Sequence, residues 1–169
     1  REAGGGALYD IGCYCINLSR WLMGGEPDRV EGALVRDPVG GTDTLVAAIL
    51  GFGTRLATFT ASTRAEDDQR VDVYGTRGRI SIEIPFNIPP GLPTRVFVAA
   101  GGDPPVAPNV ETLEFAPMDP YTAEAEAFAA AVLAGEPVPV PPADAMANLR
   151  VIEAIVATGD SGSDTGERR

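Results

Sequence analysis

Three side chains near the amino terminus have the types and the spacing to work on a polar ligand. Asp10, Tyr14 and Asn17 recur at steps of four and three within GGGALYDIGCYCINLSRWLMG, residues 4–24. Such steps return to one face of a helix, so a carboxylate, a phenol and an amide line up, with Trp21 extending the stripe. The carboxylate and the amide can hydrogen-bond ligand hydroxyls. A phenol, with an unperturbed pKa of about 10, exchanges protons near neutrality only beside a cation. All 13 basic residues are Arg, so that cation is an Arg or lies outside the chain. A plainer reading fits the same residues: Tyr14 packs half-buried, and Asp10 caps or pairs near a helix start, where the dipole favours a carboxylate.

The element that must position these groups is an amphipathic helix. Leu8, Ile11, Cys15, Leu18 and Leu22 alternate at three and four and predict its core face. Gly12 falls mid-helix, where glycine costs roughly 0.5–1 kcal/mol relative to Ala. A glycine there implies close approach by a backbone or by a ligand. Gly24 and Gly25, followed by Pro27, predict the helix end.

A strand-rich region follows. Residues 29–36 alternate, with Val30, Gly32 and Leu34 on one side. Residues 44–52 (TLVAAILGF) are almost continuously apolar and predict a strand buried on both faces. Residues 55–63 alternate again, with Ala57, Phe59 and Ala61 on one side. Residues 70–74 and 79–84 flank a Gly75-Thr76-Arg77-Gly78 hairpin, and 95–99 and 111–115 are further short strands. The proline-rich stretches 85–93 and 101–108 are loops. Residues 121–133 and 143–158 are helical; the second presents Met146, Leu149, Ile152 and Ile155 or Val156 on one face, and 159–169 read as a polar tail. Strands segregated from helices predict an α+β fold: an open, mainly antiparallel sheet with helices on one face, in one domain over residues 1–158. Apolar residues on both sides of several strands predict that the other face meets a partner.

Composition excludes several functions. A net charge of −11 argues against nucleic-acid and anionic-membrane partners. No apolar run approaches the length of a membrane span. With no His, a Ser-His-Asp or Cys-His site cannot form within the chain. Cys13 and Cys15, two apart on a helix, face different ways and read as small core residues of a cytoplasmic protein, with no metal site. The opening Arg1-Glu2-Ala3, without Met, predicts a piece of a longer polypeptide.

The run GGGALYDIGCYCINLSRWLMG resembles the helix that opens the C-terminal domain of the glucose–fructose oxidoreductase / inositol dehydrogenase (Gfo/Idh/MocA) family, whose pattern reads GGG-x-L-x-D-x-G-x-H/Y. Tyr74 to Ile80 resembles the family's GT-x-G-x-I hairpin, and the two late helices fall in the matching order. The resemblance implies a fold like the C-terminal domain of dihydrodipicolinate reductase. It also implies an NAD- or NADP-dependent oxidoreductase acting on a sugar, polyol or dihydrodiol. The nucleotide would be bound mainly by an N-terminal Rossmann domain that these residues do not include: no G-x-G-x-x-G follows a strand. Carried over, Asp10 matches the substrate-binding aspartate and Tyr14 the acid–base position of the branch that has Tyr there. Asn17 matches a further pocket residue, Asn87 in Pro85-Phe86-Asn87 a loop near the substrate, and Gly12 a close approach to substrate or nicotinamide. The family's lysine, the cation Tyr14 needs, is missing, so the chain alone should be inactive. The resemblance further implies a homo-oligomer built through the back of the sheet. A non-enzymatic oligomerisation or scaffold module is the alternative.

Overall fold

The computed structural model describes residues 5–101 and 109–161. Gly4, the loop 102–108 and most of the anticipated tail, 162–169, lie outside the described residues. The order of elements is a π turn, Leu8–Gly12, continued by α1 (Cys13–Met23), and then seven strands. These are β1 (Arg29–Arg36), β2 (Asp43–Phe52), β3 (Arg55–Ser62), β4 (Val71–Gly75), β5 (Gly78–Ile82), β6 (Thr94–Ala100) and β7 (Val110–Phe115). Two helices close the chain, α2 (Pro120–Ala134) and α3 (Pro142–Ser161). The fold is α+β, with every described strand pairing antiparallel.

The chain divides into two compact units with an antiparallel sheet in each. The first unit combines Arg1–Glu66 with Val140–Arg169, and the second is Asp67–Pro139.

In the first unit the sheet runs β1-β2-β3. Register sets Val30, Gly32 and Leu34 opposite Leu50, Ala48 and Val46, and these opposite Ala57, Phe59 and Ala61. That face carries the core, where Val46, Leu50, Ile16, Ile152 and Ile155 are sealed from solvent. Helix α3 lies so close over β1 that a Cβ on Gly32 would come within 2.7 Å of Ile155 Cγ2 and 3.0 Å of its carbonyl oxygen. β2 is not buried on both sides as its apolar run suggests. Val46, Ala48 and Leu50 face the helices, whereas Leu45, Ala47 and Ile49 face outward. Helices cover only one side of this sheet, and side chains alternate along a strand.

The buried ridge of the first helical segment also differs from the predicted one. Leu8, Gly12, Ile16 and Arg20 are buried, whereas Leu22 is exposed. The wider π turn accounts for the shift, because it rotates everything after it relative to a regular 3.6-residue repeat. The α3 ridge shifts too. Val151, Ile152 and Ile155 are buried while Met146 and Leu149 are exposed.

In the second unit the sheet runs β4-β5-β6-β7. The predicted hairpin pairs Gly75 with Gly78 across Thr76-Arg77. Helix α2 starts on Asp119, whose carboxylate accepts the Tyr121 amide at 3.1 Å and the Thr122 hydroxyl at 2.8 Å, with Pro120 as first residue. It ends on Gly135 at φ +68°.

The Gly32 contact is testable. Gly32→Ala should lower stability by about 1–3 kcal/mol, because the helix backbone blocks the new methyl. Gly25→Ala, where a Cβ meets nothing within 4 Å, serves as the control. Urea midpoints for the two variants measure the difference; equal midpoints would show that α3 is free to move off β1.

Candidate functional site

The predicted stripe forms. Asp10, Tyr14, Asn17 and Trp21 are all exposed on the π turn and α1, with Tyr14 at 43%. Tyr14 is therefore not a core residue. Asp10 does not cap the helix either: the cap comes from Asp43 on β2, whose Oδ2 accepts the Leu8 N–H at 2.7 Å. Gly6 makes room for that carboxylate, and at φ +136° it holds a backbone conformation that favours glycine. Part of the glycine run is thus explained by a strand residue remote in sequence.

Asn17 is fixed from α3. Its Nδ2 donates to Asp144 Oδ2 at 3.1 Å. An ionised carboxylate only accepts hydrogen bonds, so the amide oxygen of Asn17 remains as its acceptor for a ligand. Asp144 is held in turn by Arg20, whose Nη2 donates to Asp144 Oδ1 at 2.8 Å. The same guanidinium donates twice to Glu26, from Nε at 2.9 Å and from Nη2 at 2.8 Å. Arg20 is only 6% exposed, so burial without these partners would be costly. Its two carboxylates hold it firmly protonated, Glu26 foremost. Lower on α3, Asn148 Nδ2 donates to the Cys13 carbonyl at 3.1 Å.

Periodicity alone misses this polar seam between α1 and α3. An Arg on α1 and an Asp in the first turn of α3 carry no local sign of each other. The one available signal was their spacing: Asp144 and Asn148 share a face with the buried Val151 and Ile155.

Gly12 meets protein. A Cβ there would lie 3.0 Å from Leu8 Cδ1 and 3.4 Å from the Phe59 ring, and the residue is buried. Packing against Leu8 and the Phe59 ring accounts for the glycine. Burial pushes the Cys15 thiol up to about 11 and raises that of Cys13. Asn87 belongs to the second unit, where its Oδ1 accepts the Tyr121 hydroxyl at 3.2 Å and its φ is +46°. Among the described residues, no cluster of His, Cys, Asp and Glu could hold a metal ion. No described helix is long and apolar enough to cross a membrane.

Residues 1–81, which carry the whole stripe, match the family model of the GFO/IDH/MocA C-terminal domain. An uncharacterised oxidoreductase of Rhizobium meliloti is 38% identical over 161 residues, 95% of this chain and 48% of that protein. These matches support the GFO/IDH/MocA family. A D-xylose 1-dehydrogenase (NADP(+)) of Haloferax volcanii is 30% identical over 96% of this chain and 48% of its own length. Among solved structures, the aldose–aldose oxidoreductase of Caulobacter crescentus complexed with glycerol superposes with a TM-score of 0.78. It is 25% identical over 94% of this chain and 46% of that one. The chain thus spans about half the length of the curated relatives it matches.

The seam has a pH signature. The Arg20 hydrogen bonds hold the Glu26 carboxyl below its ordinary value. A carboxyl lowered on folding stabilises the protein above its unfolded pKa, about 4.3 for Glu, and loses that contribution as pH falls through the folded value. Glu26 is more than half exposed, so solvent screens the effect. Below about pH 4.3 the melting temperature should fall more steeply in the parent chain than in Glu26→Gln, with a difference of about a few degrees. Identical acid limbs in a thermal melt series would remove Glu26 from the seam.

Proposed function

We propose that this chain is the substrate-binding half of an NAD- or NADP-dependent oxidoreductase acting on a CH–OH group of a sugar, polyol or dihydrodiol. The observation that carries the reading is the exposed Asp10–Tyr14–Asn17 stripe within the residues that match the GFO/IDH/MocA C-terminal domain. In this reading Asp10 accepts a hydrogen bond from a substrate hydroxyl, and Asn17, with its amide nitrogen engaged by Asp144, offers its oxygen to another. Tyr14 exchanges the proton of the reacting hydroxyl.

The stripe suits hydroxyls and not the phosphates of a dinucleotide. Arg20 is the sole cation of α1, and Glu26 and Asp144 hold it. The nucleotide, and the cation that would sharpen Tyr14, are therefore assigned to an N-terminal Rossmann partner domain. The NADP named for the Haloferax relative supports that cofactor class. The outward Val35, Leu45, Ile49 and Leu56 of the first sheet support assembly of a homo-oligomer through that face.

In the full-length protein, Tyr14→Phe should lower kcat by a factor of about 10²–10⁴ with little change in cofactor affinity, as loss of a proton-transfer group does. Turnover equal to the parent on a sugar, polyol and diol panel would reduce Tyr14 to a surface residue. This chain alone should give no saturable NADPH fluorescence and a light-scattering mass above one protomer. Tight nucleotide binding would overturn the division of labour. A strictly monomeric chain would overturn the interface. An upstream coding sequence without a βαβ pattern carrying G-x-G-x-x-G would favour the scaffold alternative.

A further inference from the structure

The carboxylate that starts the first helical segment takes no part in the chemistry proposed for it. Asp43 is 7% exposed, and its Oδ2 accepts the Leu8 N–H at 2.7 Å in a buried setting. The first amides of a helix have no partner inside it, and a hydrogen bond from one of them to an ionised group is among the stronger kinds. Ala7, at the N-cap position, supplies no side-chain cap, so β2 provides by tertiary contact what a Ser or Asp would provide locally. Gly6 is fitted to this arrangement, since a Cβ there would lie 2.0 Å from Asp43 Oδ1 and 2.7 Å from Cγ.

The turn that Asp43 grips sets the direction of the stripe. Asp10 lies inside the π turn, and Tyr14 follows two residues after its end. In a regular α-helix, side chains four apart stand one above the other. One widened turn between them changes the angle at which phenol and carboxylate face a common ligand, and such turns are frequent at functional sites. The Leu8 amide is the first residue of that turn.

We propose that Asp43 is a positioning residue of the candidate site: through the Leu8 amide it holds the π turn in the register that presents Asp10 and Tyr14 to one ligand. The functional half of this statement rests on the reading of Asp10 and Tyr14 as substrate-facing. Two measurements test it. In this chain, Asp43→Asn should speed Leu8 amide hydrogen exchange by about tenfold or more and shift the Tyr14 ring and Asp10 carboxyl resonances. The Ile155 methyls, in the core under β1, should stay in place. Gly6→Ala, which pushes the carboxylate away from the other side, should move the same resonances. If either variant stays folded with Leu8 and Tyr14 unmoved, the proposal is overturned. In the full-length enzyme, Asp43→Asn should lower kcat/KM about tenfold, and should add little in a Tyr14→Phe background, because residues acting as one unit are non-additive. Equal losses in both backgrounds would make Asp43 merely structural. If Tyr14→Phe itself leaves turnover intact, the substrate-facing reading fails, while the spectra still decide whether Asp43 sets the turn.

Discussion

A buried guanidinium organises the first unit. Arg20 stands on the ridge of α1 where an apolar residue would otherwise pack, and two carboxylates from separate parts of the chain meet it there. Glu26 lies just past the end of its own helix. Asp144 comes from α3, 124 residues further on. Because a charge out of water must be matched, this site specifies which helix lies beside α1 and at what height. The Asn148 bond to the Cys13 carbonyl repeats that specification one turn away. The apolar contacts below, Ile152 and Ile155 with Ile16 in one core, would tolerate sliding; the polar ones do not.

The same seam reaches the surface. Asp144 divides its oxygens, one to Arg20 and one to Asn17, so the buried ion pair fixes the orientation of an exposed amide. The other end of the stripe is fixed from β2, through Asp43. A face that looks like simple solvent-exposed helix is thus held at both ends by groups from distant sequence. That rigidity fits a wall meant to meet a ligand, since hydrogen-bonding groups recognise best when their own freedom is already spent.

Much of the fold could be read from local pattern. The strand alternation of β1 and β3, the Gly75–Gly78 hairpin and the order of helices and strands all follow from spacing and turn residues. The misreadings share one cause, which is partners remote in sequence. Asp43 has no local sign of its role because the amide it serves belongs to Leu8, 35 positions back. The run of β2 reads as doubly buried because apolarity does not say which side is covered. The π turn has no residue signature, so the register of α1 is displaced by it, and Ile16 and Arg20 replace Cys15 and Leu18 on the ridge. At the site, the residue types were legible and their supports were not. Gly12, legible as a point of close approach, makes room for Leu8 and Phe59.

The first unit is discontinuous, its two parts separated by Asp67–Pro139. A ribosome therefore releases β1, β2 and β3 long before α3 exists. Until residues 142–161 emerge, the part of this apolar face over β1 lacks its covering helix, and Arg20 has only Glu26. Chain synthesis runs at about 5–20 residues per second, so the sheet waits on the order of several seconds for its covering helix. The insert that imposes the wait also forms a self-paired meander, whose neighbouring contacts close early and cheaply. Its length matters little to the later closure, because loop entropy grows only with the logarithm of the number of residues. Relatives of this chain can therefore lengthen or trim the middle segment while the ends still find each other.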